Sequence, residues 1–241
     1  MKYGIFSDIH SNIEALEKVL DALQEEGVDG YVCGGDIVGY GTNPRECIDK
    51  VRELNPIIVC GNHDWAVGGT IGTEYFNDYA KVAIEWTRKI LNDEYKEYLN
   101  GLRLVYKDEE ITLVHATLDS PDKFEYMQSM PIARRTLNVL ETIVCFMGHT
   151  HVPVIFTNEE GDAKCLFDTD MEFIEGSKQI VNTGSVGQPR DGDTRACYAI
   201  YDTIHKRVQI KRVAYDFHIT QKKIREAGLP EFLASRLAEG R

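Results

Sequence analysis

The chain has 241 residues, enough to bury a full-sized core, and reads as one domain over 1–241 with a short helical tail from about residue 217. Lys and Arg number 27 against 39 Asp and Glu, a formal charge of -12, so the average surface field disfavours a long nucleic acid or an anionic membrane as partner. The longest apolar run, Ala196–Tyr201, is six residues, far short of the roughly 20 that a membrane-spanning helix needs.

The N-terminal residues Met1–Ser7 lack the apolar stretch of a secretory signal and run straight into Asp8, which predicts a native start and a cytoplasmic protein. Tyr3–Ser7 reads as a strand. Ser11 with Glu14 predicts a capping box, and Ile13, Leu16, Leu20 and Leu23 repeat at helical spacing until Gly27. A strand at Gly30–Gly34 follows, then a helix opened by Asn43 and Pro44, then a strand at Ile57–Cys60. This β-α-β-α-β run predicts parallel strands joined by right-handed crossovers. The pattern is helical from about Tyr75 to Leu99. Leu102–Tyr106 and Ile111–Val114 flank the polar Lys107–Glu110 as a hairpin, and a helix near Ile132–Leu140 leads into a strand at Ile143–Met147. Beyond it lie strand-like runs at Val152–Thr157, Gln179–Asn182, Ala196–Tyr201 and Arg207–Val213, before the helical tail. Six cysteines (Cys33, Cys47, Cys60, Cys145, Cys165, Cys197) show no C-x-x-C spacing and read as buried, reduced thiols.

Five polar clusters stand just past predicted strand ends, where open α/β sheets present their ligands: Asp8-Ile9-His10, Gly35-Asp36, Gly61-Asn62-His63-Asp64, Val114-His115 and Gly148-His149-Thr150-His151. Together they offer two carboxylates (Asp8, Asp36), one amide oxygen (Asn62) and four imidazoles (His10, His115, His149, His151). Seven such groups suit two divalent ions that share a bridging carboxylate and keep a position open. A nitrogen and oxygen set without thiolate selects manganese first, with iron, zinc, cobalt or nickel as alternatives, over calcium or magnesium. A lone His10 or His115 after an apolar strand reads more often as a hydrogen-bonded core residue than as a ligand; it is the ordered set that carries the metal reading.

The five clusters, in this order, resemble the pattern D-x-H, G-D, G-N-H-[DE], H and G-H-x-H of the calcineurin-like metallophosphoesterases. The match covers roughly residues 1–155. The resemblance implies a four-layer α-β-β-α sandwich with mixed sheets and a metal-dependent phosphoric ester hydrolase. Carried over residue by residue, Asp8, His10 and His151 hold one metal, Asn62, His115 and His149 the other, and Asp36 bridges them. His63 is then the non-ligand that binds the phosphate and helps the leaving group depart, with Asp64 structural. The segment Asn182–Asp191 and Gly39-Tyr40-Gly41 look like the small bacterial and archaeal members, which extends the resemblance to about residue 200. The protein Ser/Thr phosphatase pattern G-D-x-x-D-R-G is absent after Gly35, which counts against a phosphoprotein substrate.

The expected reaction is hydrolysis of a small phosphodiester or nucleotide-like ester, dinucleoside polyphosphates included, by a metal-bridging hydroxide. Two other readings stand beside it: a non-catalytic interaction scaffold on the same fold, and a metal-dependent nuclease. No ligand of the pattern is lost, against the scaffold, and the chain is acidic, against the nuclease. Arg190 either reaches a phosphate oxygen or is a solvated charge; Tyr40 either stacks on a base or packs at the rim; Gly184 and Ser185 either close the site from behind or make a turn. Phe124, Tyr126 and Met127 either line a substrate cap or join the core. His205 and His218 lie outside every cluster, and a homodimer is an open expectation.

Overall fold

The computed structural model describes residues 1–159 and 162–241. In chain order the elements are β1 (Lys2–Phe6), α1 (Ile13–Glu25), β2 (Gly30–Cys33), α2 (Pro44–Leu54), β3 (Ile57–Ile58), α3 (Asn62–Gly68), α4 (Asp78–Ile90), α5 (Asp93–Asn100), β4 (Val105–Lys107) and β5 (Thr112–Val114). They continue with α6 (Met130–Val139), β6 (Val144–Met147), β7 (Val154–Glu159), β8 (Asp162–Leu166), β9 (Asp170–Glu172), β10 (Lys178–Asn182), β11 (Ala196–Asp202), β12 (Arg207–Val213), α7 (Phe217–Glu226) and α8 (Glu231–Ser235).

Two mixed six-stranded sheets result, ordered β3-β2-β1-β11-β12-β9 and β4-β5-β6-β10-β7-β8. The expected parallel run is present: β1 pairs with β2 and β2 with β3, both parallel, while β11 lies antiparallel on the other side of β1. In the second sheet β5 and β10 both run parallel to β6, and β4 and β5 form the expected hairpin.

Period-two alternation sorts the strand residues between cores. Ile5, Val32, Ala199 and Tyr201 from the first sheet meet Leu113, Val144, Phe146 and Val181 from the second in one buried layer. Their neighbours turn outward: Phe6, Cys33 and Ile200 pack with Leu16, Val19, Cys47 and Ile48 of α1 and α2, and Cys145, Met147 and Ile180 pack with Ala133 and Leu137 of α6. Helices thus cover both outer faces, the four-layer arrangement that the resemblance implies. A fourth cluster joins α4 to the tail, with Ala80 and Ala83 against Ile224, Leu233 and Leu237, and Tyr40 at its edge.

Several local expectations are corrected. Asn12 rather than Ser11 caps α1, its side chain accepting from Ala15 N, because Ser11 sits in a left-handed turn (φ 55°) whose N–H bonds Ile37 O. The helical span after Tyr75 is two helices broken at Leu91, a residue with extended backbone next to the cap Asn92. α3 and the three-residue β9 have too few residues to show a period. Five cysteines are buried, but Cys165 on β8 is exposed.

Leu16 is fully buried between α1 and the first sheet. Leu16→Ala is expected to lower unfolding stability by about 2–5 kcal/mol through the cavity it leaves, read from the urea midpoint.

Candidate active site

Each predicted cluster follows a strand end: Asp8 and His10 follow β1, Asp36 follows β2, Asn62 and His63 open α3 just past β3, His115 follows β5, and His149 and His151 follow β6. The first three come from one sheet and the last two from the other, and the side chains converge where the sheets meet. Within this site Asp8, His10, Asp36, His149 and His151 all have left-handed backbone, φ 49–66°. Non-glycine residues rarely adopt that region, and surrounding structure must hold them there, a pattern that concentrates at functional sites.

Asp8, His10 and His151 form one group of donor atoms and Asp36, His115 and His149 another; His63 approaches His10 and Asp36 as well. His151 Nε2 lies 3.2 Å from Asp8 Oδ1 and 3.0 Å from His10 Nε2. In the second group His115 Nε2 lies 3.3 Å from Asp36 Oδ2 and 3.1 Å from His149 Nδ1. The same Asp36 Oδ2 is 3.6 Å from His10 Nε2, so one carboxylate oxygen faces both groups.

The far ring nitrogens are tied to the backbone. His10 Nδ1 donates to Val38 O at 3.1 Å, His115 Nδ1 to Gly34 O at 2.7 Å and His151 Nδ1 to Gln188 O at 2.6 Å. In the neutral His10 and His151 rings a donating Nδ1–H leaves the Nε2 lone pair free for the cluster, which is how a second shell readies imidazoles for a cation, while His115 offers its own Nε2 once a cation displaces its second proton. Burial pushes His10, His63, His149 and His151 below the ordinary imidazole range, His63 to about 4 and His149 to about 3, so they are neutral at pH 7. Burial also pulls His115 down, but the Asp36 and Asp8 carboxylates outweigh it and hold that ring up at about 9. Burial opposes ionisation of Asp8 and Asp36, yet His151 beside the one and His115 and His63 beside the other keep both carboxyls below their usual range.

The donor set fits divalent cations. Asn62 Oδ1 is a buried acceptor with no donor among the described residues, and His149 Nε2 is likewise unpartnered. Facing lone pairs about 3 Å apart, two ionised carboxylates and an orphaned amide oxygen form an arrangement that a cation would satisfy and that is otherwise unfavourable.

Asp64 serves the backbone. Its two oxygens accept from Asp36 N (2.8 Å), Ile37 N (2.9 Å), Gly61 N (3.0 Å) and Val38 N (3.3 Å), which pins the Asp36 loop to the start of α3. Burial and the Asp36 charge push its carboxyl up to about 7, against which these N–H donors hold the anion. Gly61 must be glycine here, since a Cβ would stand 2.0 Å from Asp36 Oδ1. Ser185 closes the cluster from behind, donating to Asp8 O at 2.8 Å and accepting from Gln188 N at 2.9 Å.

A cavity of about 840 Å³ opens beside the cluster, lined by Asn62, His63, His149 and Tyr40 and walled by Ile71–Asn77 and Asp122–Tyr126. Tyr126 stacks on His149 with ring centroids 4.1 Å apart, and Phe124 is edge-on to His115, so two of the three aromatic-segment residues line the site while Met127 joins the core. Tyr40 is nearly buried between His10 and His63, at 4.7 and 4.6 Å, which favours packing over base stacking. Arg190 donates from Nη2 to Gln188 Oε1 at 2.9 Å and lies 5.8 Å from the Tyr40 ring, half-buried rather than solvated. His205 pairs with Asp202 on the surface and His218 packs on Phe217, both outside these groups.

The sequence model of the calcineurin-like phosphoesterase superfamily domain matches residues 1–206. The uncharacterized protein MJ0912 of Methanocaldococcus jannaschii is 39% identical over 242 residues, covering 99% of this chain and 98% of its own. Among solved structures, a metallophosphoesterase from Sphaerobacter thermophilus superposes with TM-score 0.88 at 41% identity over 100% of this chain and 99% of the other. The hypothetical protein PH1004 from Pyrococcus horikoshii OT3 shares the fold, with TM-score 0.81 at 22% identity over 100% of this chain and 98% of that one.

Asp64→Ala is expected to orphan four buried N–H groups and to lower stability by roughly 3 kcal/mol or more. It should also weaken metal uptake although Asp64 is itself no predicted ligand, because Asp36 and its loop lose the anchor. Thermal melts and metal analysis of the same preparation check both effects.

Proposed function

Because the chain belongs to the calcineurin-like phosphoesterase superfamily, a metal-dependent family acting on phosphate esters, we propose that it hydrolyses a small phosphodiester or nucleotide-like ester at the cluster around Asp36. The observation that carries this reading is that two groups of nitrogen and oxygen donors meet at one Asp36 oxygen beside a cavity large enough for a nucleotide. In it Asp8, His10 and His151 would hold one divalent ion and Asn62, His115 and His149 the other, with Asp36 as the ligand that both would share. Manganese is the first choice of ion, one unit over 1–241 carries the activity, and the cytoplasm is its compartment.

Bound there, divalent cations polarise phosphoryl oxygens and make hydroxide available as nucleophile near neutral pH. The chain's own residues supply positioning and the proton. Val38, Gly34 and Gln188 carbonyls fix the orientation of the three imidazoles, so no ring must rotate when the ester arrives. His63 is held by Tyr40 and by Phe76, whose ring lies 5.0 Å away, and its Nδ1 is buried without a partner. It is neutral in the ester-free site; a phosphate anion beside it favours the imidazolium, so the form able to protonate a leaving alkoxide arises on substrate binding. The aromatic walls shed water from the ester and give an apolar leaving group a surface to lie on.

Metal analysis after reconstitution should plateau at about two ions per chain. Bis-p-nitrophenyl phosphate should be hydrolysed with manganese and protected by chelator, and Asp36→Asn should lose ions and turnover together. Absence of turnover across the common transition metals would sink the hydrolase reading.

His63→Ala separates chemistry from metal binding. It should keep both ions while kcat falls by about 10²–10⁴-fold, the range for a positioned proton donor. The loss should be smaller with p-nitrophenolate as leaving group than with an alkyl or nucleoside alkoxide, which needs the proton more. Loss of an ion from this variant would make His63 a ligand instead.

A further inference from the structure

Away from the cluster the cavity is walled by two segments that supply no predicted ligand: the loop between α3 and α4, with Glu74, Tyr75 and Phe76, and the stretch after β5, with Asp122, Lys123 and Tyr126. The group attached to a phosphate seated at the cluster extends along these walls, where His63 also lines the cavity.

The walls offer aromatic surface that the fold does not use. One face of the Tyr126 ring is covered by His149, with centroids 4.1 Å apart and planes 29° apart, yet the residue stays 44% exposed. Tyr75 is fully exposed and makes no ring contact or hydrogen bond among the described residues. Open ring faces of this kind stack on any flat π system. The charges on the same walls are the reverse of what a phosphate wants. Lys123 is the one lysine or arginine among the described lining residues, and Asp122 pairs with it at 3.3 Å. Glu74 has no cation partner among the described residues, and Gly72 leaves room for its carboxylate, since a Cβ there would stand 2.0 Å from Oε2. A second phosphate carried into the cavity would meet a net negative wall on a chain of charge -12, with no free lysine or arginine on that wall to receive it.

We propose that this cavity is a leaving-group subsite for a planar, uncharged group such as a nucleoside, received by Tyr75 and Tyr126, and that Glu74 and Asp122 make it reject leaving groups carrying a further phosphate. Nucleoside esters with a single phosphate then stand above dinucleoside polyphosphates as substrates. This rests on the phosphoesterase reading for what occupies the cluster, but not for the binding of the planar group itself.

The test is binding of adenosine, which has no phosphate to lose, to the full chain with and without manganese, followed calorimetrically. The protein should bind adenosine in both states, and ribose should not displace it. Tyr126→Ala and Tyr75→Ala should each raise Kd by about fivefold or more, the loss of one stacking surface. Tyr126→Phe, which keeps the ring, should retain the affinity, and thermal melts should show that the variants are folded. No binding of adenosine, displacement by ribose, or an unchanged Kd in either alanine variant would overturn the subsite. In the metal-loaded protein KM should be higher for diadenosine tetraphosphate than for adenylyl adenosine, which has one phosphate. The double variant Glu74→Gln, Asp122→Asn should narrow that ratio by about threefold or more at low salt, the scale of exposed charges. An unchanged ratio would overturn the charge selection. A protein that binds adenosine through Tyr126 yet hydrolyses no ester would count for the subsite and against the hydrolase reading, which keeps the two failures apart.

Discussion

The Asp36 carboxylate divides its two oxygens between different tasks. Oδ1 accepts the His63 N–H at 2.8 Å and so locks the start of α3 to the loop after β2, while Oδ2 faces His10 and His115. Asp64 returns the tie in the other direction by accepting the N–H of Asp36 itself. This reciprocal clasp between two strand-end loops fixes the one oxygen on which both donor groups close, and the positions of Asn62 and His63 follow from it. Without the clasp, a buried anion would be free to retreat from the site, since burial opposes its charge.

The clasp belongs to one sheet, yet the site needs both. Asp8, Asp36 and Asn62 follow strands of the first sheet, and His115, His149 and His151 follow strands of the second. Their registry is set by the apolar layer between the sheets, where Ile5, Val32 and Tyr201 pack on Leu113 and Phe146. Direct links cross as well: the His149 N–H donates to Asp8 at 3.0–3.1 Å, and His115 Nδ1 donates to Gly34 O. Gly148 permits that approach, because a Cβ there would lie 2.1 Å from Asp8 Oδ2. Close packing of this kind transmits position, so the hydrophobic core and the polar cluster act as one mechanical unit.

The tail adds a third body to the same edge. Asn12 donates to Gly187 O and Tyr215 Oη while accepting from Thr220 Oγ1, and Lys223 pairs with Glu14. These bonds tie α7 to α1 and to the loop that carries Gln188 and Arg190. Residues beyond the family match are therefore continuous with the wall of the site through Tyr40, Leu233 and Leu237.

Short-range physics made much of this legible in the sequence. Glycine-flanked Asp, Asn and His residues after apolar runs are recognisable because a strand end, a tight turn and a chelating side chain must be adjacent in the chain, and the β-α-β-α-β run shows because period and punctuation are local. The sequence by itself therefore determined which residues of the five clusters could converge, and the order of the elements from β1 to β3. Only the tertiary structure decided which carbonyl orients each imidazole, that Asn12 displaces Ser11 as cap, that Tyr40 is wedged between His10 and His63, and that Arg190 turns to Gln188 and Tyr40. Each of these joins groups far apart in the chain or depends on a neighbour's backbone angle, and no local pattern records a contact whose geometry is set by packing elsewhere.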